Sequence, residues 1–373
     1  MDRRGFIKKV GAGALVAGTV LSGCEREKKS SEAPAVQVEK NYEWKMVTTW
    51  PKNFPGLGTG ANHLAKIITD MSGGRLTVKV YGAGELVPAF ESFDAVSRGT
   101  AEMGHAASYY WKGKSEAAQF FAAVPFGLNA QEMAGWIHHG GGQQLWDEVY
   151  SAFNLKAFAA GNTGVQMGGW FNKEINSVDD FKGLKMRMPG LGGEVIKRVG
   201  ATPVSLPGGE IFPSLSSGAI DATEWVGPYN DLAFGLYKAA KYYYWPGWHE
   251  PGTVLECFVN KKAYEGLPKD LQAVVDQAMK AAYVDMFAEF TTKNNAALVD
   301  LVKTHKVQLK RFSDTVLKKL GALSKAVVEE TAAKDAISRK VYESFNKYRA
   351  QSVEWGAIGE VGYSVARSLT FKA

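Results

Sequence analysis

The chain has 373 residues, 44 Lys+Arg against 38 Asp+Glu for a formal charge of +6, 46% hydrophobic residues and two cysteines. Its length exceeds what one hydrophobic core usually serves, so two domains are expected. The basic residues are spread along the chain, which excludes a nucleic-acid-binding face, and Cys24 and Cys257 alone cannot supply the roughly four ligands of an iron–sulfur cluster.

The chain begins with Asp2-Arg3-Arg4-Gly5-Phe6-Ile7-Lys8, continues through an uncharged run at 10–20 and reaches Leu21-Ser22-Gly23-Cys24. This is the three-part layout of an export signal. The apolar run is shorter than the ~20 residues of a membrane-spanning helix. The paired arginines before Phe-Ile-Lys resemble a bacterial twin-arginine leader, and the Leu-Ser-Gly-Cys ending resembles a lipoprotein cleavage site that would leave Cys24 as the lipidated first residue. Removing residues 1–23, which hold Arg3, Arg4, Lys8 and Lys9 against Asp2, lowers the formal charge from +6 to +3. Residues 24–41 are charged, small and aperiodic, and read as a tether. No intramolecular disulfide is expected.

Beyond the tether, residues 44–50 predict a strand, 61–71 a helix, 76–81 an alternating strand, 88–98 a helix and 103–107 a short buried strand. Strands alternating with helices of this length imply βαβ units and a largely parallel sheet. The pattern restarts with strands at 165–171 and 183–188, helices at 192–199 and 209–216, and a strand at 220–225. A further strand is expected at 253–260. Beyond Pro268 the chain reads as almost wholly helical, and residues 268–303, without internal Gly or Pro, would span about 50 Å as one helix able to bridge two domains. The last stretch sets Ile337, Val341, Phe345 and Tyr348 at helical spacing, then Val353, Trp355, Ile358 and Val361. That stripe either packs against its own domain or buries itself in a second copy.

Four features converge between residues 161 and 252. Gln166 is expected in one strand, and Arg187 at the end of another just before Pro189-Gly190-Leu191-Gly192-Gly193. Glu224 and Trp225 end a third, and Trp248-His249-Glu250-Pro251-Gly252 precedes a fourth. Ligands of open α/β sheets bind outside the carboxyl ends of the strands, and arginine presents a planar fork that matches a carboxylate. The plainer alternative is a surface Arg187 paired with Glu194 or Asp221. The six histidines lack zinc-site spacing and read as polar or capping residues. Trp170, Phe212, Trp225, Tyr229 and Trp248 offer aromatic walls for a pocket, though most such side chains simply pack.

The run Gly183-Leu-Lys-Met-Arg-Met-Pro-Gly, followed by Gly200-Ala-Thr-Pro, Leu206-Pro-Gly-Gly-Glu-Ile-Phe and Gly218-Ala-Ile-Asp-Ala-Thr-Glu-Trp225, resembles the solute-binding proteins of tripartite ATP-independent periplasmic (TRAP) transporters. The resemblance covers nearly all of the chain from Trp44. Glu224-Trp225, the aromatic segment 242–252 and the twin-arginine leader most resemble the branch that binds pyruvate-type 2-oxo acids, or lactate, with a metal ion. It implies an α/β, two-domain, periplasmic-binding-protein-like fold with mixed sheets flanked by helices, a long inter-domain helix and a long C-terminal helix. The implied division is 42–164 plus 253–300 as domain I, 165–252 plus 301–333 as domain II, and 334–373 as a C-terminal helix serving a homodimer. Arg187 would clamp the substrate carboxylate, with Tyr109 or Tyr110 donating a hydrogen bond. The Gln166 side chain, the Glu224 carboxylate and the Trp225 carbonyl would hold the ion. Gln166, Trp225 and Glu250 join Arg187, Tyr109 and Tyr110 in the expected substrate-binding set. Many members carry a second arginine where Gln166 stands, which argues against dicarboxylate or sialic-acid substrates.

Such oxygen donors suit sodium, calcium or magnesium rather than softer metals, and sequence leaves sodium and calcium both open. The implied function is a periplasmic receptor, without catalytic residues, that delivers a small monocarboxylate to TRAP permease subunits. An exported metal-dependent enzyme, for which His249-Glu250 is the one acid/base pair near the site, and a ligand sensor for a membrane receptor are the alternatives.

Overall fold

The computed structural model of the protein describes residues 40–371. The leader, Cys24 and the tether as far as Glu39 lie outside them. The chain opens with β1 (Tyr42–Thr48), α1 (Gly58–Met71), β2 (Leu76–Tyr81), α2 (Ser92–Ser97) and β3 (Met103–Ala106). Two short 3-10 turns lead to α3 (Ala130–His139), α4 (Gly142–Ser151) and β4 (Leu155–Asn162). The second run holds β5 (Gly169–Phe171), β6 (Lys185–Arg187), α5 (Gly190–Arg198), β7 (Thr202–Val204), α6 (Gly208–Ser216), β8 (Ala222–Thr223), α7 (Pro228–Phe234) and β9 (Tyr242–Trp245). The chain then returns through β10 (Val254–Asn260), α8 (Lys261–Glu265), α9 (Lys269–Lys303), β11 (Gln308–Arg311), α10 (Asp314–Ala333), α11 (Ala336–Ile358) and α12 (Glu360–Thr370).

Two sheets result, ordered β2-β1-β3-β10-β4 and β11-β9-β5-β8-β6-β7. Both are mixed, where the alternation of strands and helices predicts mainly parallel pairing. In the first sheet β1 runs parallel to β2 and β3, but β10 is antiparallel to both β3 and β4. In the second, β5 is antiparallel to β8 and β9. The antiparallel strands β5 and β10 each follow a crossing between sheets, β5 after β4 and β10 after β9. All seven residues of β10 are buried, as a strand covered on both faces demands, and Cys257 lies within it as a buried free thiol.

α9 runs 35 residues without a break. It packs on β4, α1 and α7, burying Leu271, Val275, Met279, Met286 and Phe290. The core beside β4 is aromatic: Phe121 stacks between Trp136 and Trp146, with ring centroids at 5.4 and 4.9 Å. Phe345 of α11 meets Trp136 edge-on at 5.2 Å. The C-terminal stripe therefore divides. Val341 and Phe345 are buried in this chain's own core, whereas Trp355, Ile358, Val361 and Leu369 stand exposed. Two further expectations are corrected. The helix at 88–98 is a 3-10 turn at Ala89–Glu91 followed by the six residues of α2, and the helical tail is interrupted by β11, which adds an edge strand beside β9.

Candidate ligand and cation site

Gln166 does not lie in a strand. The chain leaves β4 through the left-handed Gly164 (φ +70°), and the next ladder begins only at Gly169. Residues 165–168 form a loop whose amides bond outward instead. Gln166 N donates to Glu250 O at 3.1 Å, Met167 N to Val226 O at 3.0 Å and Gly168 N to Tyr244 O at 2.7 Å. These bonds tie together the three segments that carry Gln166, Glu224 and Glu250. The fit is close. A Cβ at Gly247 would lie 2.2 Å from Gln166 O, and one at Gly192 would lie 2.9 Å from the His249 Cβ.

Arg187 ends β6 and is fully buried. Its Nη1 donates to the Glu224 carboxylate and, at 3.2 Å, to Glu224 O; its Nη2 donates to Tyr110 Oη at 3.1 Å and its Nε to Leu206 O at 3.3 Å. The Trp225 ring lies over the guanidinium at 5.1 Å. Burial works against the guanidinium charge, but Glu224 foremost among its neighbours outweighs it and raises the Arg187 pKa. Neither Glu194 nor Asp221 is its partner. Glu194 pairs with Lys112 at 2.9 Å, and Asp221 accepts from the Lys185 amide at 2.7 Å.

Around this pair lie buried polar atoms without hydrogen-bond partners. Gln166 Oε1 and Glu224 Oε2 accept no hydrogen bond, and both ring nitrogens of His249 are likewise unengaged, with His249 Nε2 3.4 Å from Glu224 Oε2. One ligand atom each from Glu224, His249 and Glu250 can be chosen within 4.8 Å of one another. Burial first, and then the Glu224 charge, push the Glu250 pKa up to about 7; burial pushes Tyr110 up to about 12 and Tyr109 well above its usual range. Unsatisfied buried acceptors are costly, and the donor set here is rich in oxygen. The residues fit a hard cation.

Two clefts flank this sealed centre. One of about 650 Å³ is lined by Phe90, Tyr109, Tyr110, Met188 and Pro189. The other, about 740 Å³, is lined by Val165, Gln166, Trp245, Phe287 and Leu298, with Glu360 at its edge.

Residues 46–335 match the family model described as bacterial extracellular solute-binding protein, family 7 (DctP). The chain belongs to that family. A curated relative from Nostoc sp., a monocarboxylate 2-oxoacid-binding periplasmic protein, is 44% identical over 94% of this chain and 95% of its own. A TRAP periplasmic solute-binding protein from Pseudoalteromonas atlantica, solved with bound sodium and pyruvate, is 42% identical, with a TM-score of 0.85 over 89% of this chain and 100% of its own. A TRAP solute-binding protein from Bordetella bronchiseptica, solved as a mixed-occupancy dimer with copurified calcium and picolinate, is 36% identical, with a TM-score of 0.85 over 88% and 99% of the two chains. The fold of this family member, with its two mixed sheets, flanking helices and long C-terminal helix, is the one those structures share.

Of the expected site residues, Arg187, Glu224, Tyr110 and Trp225 meet directly, and Gln166 and Glu250 are joined through their backbone. Tyr109 packs against Tyr110 at 4.8 Å rather than bonding to Arg187. Of the five candidate wall aromatics, Trp170 stacks on Tyr243 at 4.0 Å and donates to Asp231, while Tyr229 donates to Glu289; both belong to packing. His249, expected beside Glu250, lies near it and also brings its Nε2 to 3.4 Å from Glu224 Oε2. Sequence reading missed two neighbours, Thr163 and Thr253. Thr163 and Thr253 both contact the Gln166 amide, and the only trace of them in sequence is the three-residue spacing of Thr163 with Gln166 and of Glu250 with Thr253.

Proposed function

We propose that this protein is the extracytoplasmic receptor of a TRAP transporter, capturing a 2-oxo or 2-hydroxy monocarboxylate of the pyruvate or lactate class together with sodium or calcium and delivering it to the membrane permease. The observation that carries this reading is that Glu224, bonded to the fully buried Arg187, and Gln166 each bury an acceptor without a hydrogen-bond partner, Oε2 and Oε1. A cation there would be held by Gln166, Glu224 and the Trp225 carbonyl, with Glu250 and His249 at hand. Bound there, it would supply a Lewis-acidic centre able to chelate a 2-oxo or 2-hydroxy acid. Picolinate, with a ring nitrogen beside its carboxylate, can chelate in the same way, which supports recognition of a chelating acid. Arg187 faces the rest of the carboxylate, and Tyr110, already bonded to Arg187 Nη2, orients it. With sodium the charges of ligand, Arg187, Glu224 and ion sum to zero, as a buried site requires.

We read the site as binding without catalysis, because the family model that the chain matches is one of solute-binding proteins. Metal analysis and native mass spectrometry of protein purified without added ligand test the assignment. A copurified 2-oxo or 2-hydroxy acid with one equivalent of sodium or calcium is expected; binding of pyruvate that is unchanged in chelator-treated, sodium-free buffer overturns it.

The same reading places the division between lobes near residues 164/165 and 252/253. The first sheet draws its strands from 42–162 and 254–260 and the second from 169–245 and 308–311, which supports it. The exposed apolar residues beyond Tyr348 support a homodimer formed through the end of α11 and α12. Export by a twin-arginine leader, with lipidation at Cys24, completes the proposal; loss of membrane fractionation in Cys24→Ala tests the anchor.

A further inference from the structure

Gln166 can serve a cation only if its amide oxygen, not its nitrogen, faces the ion, and the two groups of an amide differ little in shape. Something has to choose. Gln166 Nε2 lies 3.2 Å from Thr163 Oγ1 and 3.2 Å from Thr253 Oγ1, and both threonines are buried. A hydroxyl has one proton to give. Thr163 gives its proton to Gly164 O at 3.0 Å, and Thr253 gives its proton to Glu250 Oε2 at 2.6 Å. Each hydroxyl therefore presents only lone pairs to Gln166. The amide answers with both N–H groups and leaves Oε1 as its free end. In the flipped orientation Oε1 would confront two oxygens with no proton between them, and the N–H groups would face the cation.

We infer that Thr163 and Thr253, the latter held by Glu250, are positioning residues that fix the Gln166 amide with its oxygen toward the cation. The inference rests on the reading of Gln166 as a cation ligand, and deepens it. The relay is short. Glu250 accepts from Thr253, Thr253 accepts from Gln166, and the backbone bond from Gln166 N to Glu250 O closes the loop. Outer groups of this kind typically change metal affinity by about 10–100-fold when removed.

The test is a calorimetric titration of pyruvate at a series of sodium chloride or calcium chloride concentrations, reading the cation concentration that gives half-maximal binding. Thr253→Val should raise it about ten-fold, while Thr253→Ser, which keeps the hydroxyl, stays within about two-fold of wild type. Thr163→Val should act in the same direction, and carries the test if Thr253→Val does not fold. In a Gln166→Leu background Thr253→Val should add nothing, because no amide remains to be oriented. The relay is overturned if Gln166→Leu weakens cation binding but Thr253→Val does not, if the serine variant is as weak as the valine, or if the Thr253→Val effect persists without Gln166. A Gln166→Leu protein that binds cation like wild type instead removes Gln166 from the ligand set, and the proposed site with it.

Discussion

Arg187 and Glu224 are buried together, and this decides what their substitution does. Breaking a buried pair by removing one partner typically costs about 3–5 kcal/mol, because the other charge is left uncompensated. Arg187→Ala is therefore expected to abolish pyruvate binding and to lower stability as well, with Arg187→Lys unable to restore the fork. Arg187→Met combined with Glu224→Gln should regain much of the stability without regaining binding. Urea unfolding beside calorimetry separates the two effects; a fully stable Arg187→Ala protein would show that Glu224 finds another partner. Away from the site, Glu256 is buried and accepts from Trp111 Nε1 at 2.6 Å and Tyr150 Oη at 2.7 Å, and burial pushes its pKa up to about 8. An unfolded glutamate titrates near 4.3, so between those values the folded state holds the extra proton and stability falls as pH rises. Unfolding midpoints should decline from pH 5 to pH 8 in wild type and less steeply in Glu256→Gln; an unchanged slope would place the titration elsewhere. Arg187 and Glu224 were legible in the sequence because strand ends beside glycine-rich turns announce a ligand site. Thr163, Thr253 and the approach of His249 to Glu224 were not, since those contacts depend on how the loops at 163–168 and 247–253 cross.

At the scale of elements, periodicity located β2 and α9 to within a residue and α1 to within three, because each is long or cleanly alternating. It overran β8, expected over six residues and present as two, because buried apolar residues persist beyond the ladder into the site loop. The C-terminal stripe shows a different limit: its sequence spacing is continuous, but its burial stops near Tyr348. Phe345→Ala should cost about 3–5 kcal/mol as a buried aromatic truncation. A chain ending at Ala350 should keep its melting temperature and, if the exposed half of the stripe joins two copies, become monomeric by light scattering. A chain ending at Ala333 should lose stability whatever its oligomeric state, because Phe120 and Trp136 lose Phe345.

Across the whole molecule, the site is closed. Arg187, Glu224, His249, Gln166 and Glu250 are all buried, and Lys112–Glu194 and Arg187–Tyr110 link residues belonging to the two strand runs. Entry of a ligand requires these contacts to part, as in hinge closure of periplasmic binding proteins. Small-angle scattering should give a smaller radius of gyration with pyruvate and cation than without; equal values would count against a hinge. The path of β10 carries a consequence for how the protein is made. This strand lies between β3 and β4, so β4 cannot join the first sheet until residue 260 has been synthesised, long after the other four strands. The amino-terminal half cannot complete its sheet as it emerges from the ribosome. Its apolar edges at β3 and β4 must wait, exposed to chaperones and proteases, and pairing across so long a stretch of chain is slow. A fragment ending at residue 164 should be degraded by pulse proteolysis at a rate typical of unfolded chain, and adding residues through 260 should be the step that first brings protection.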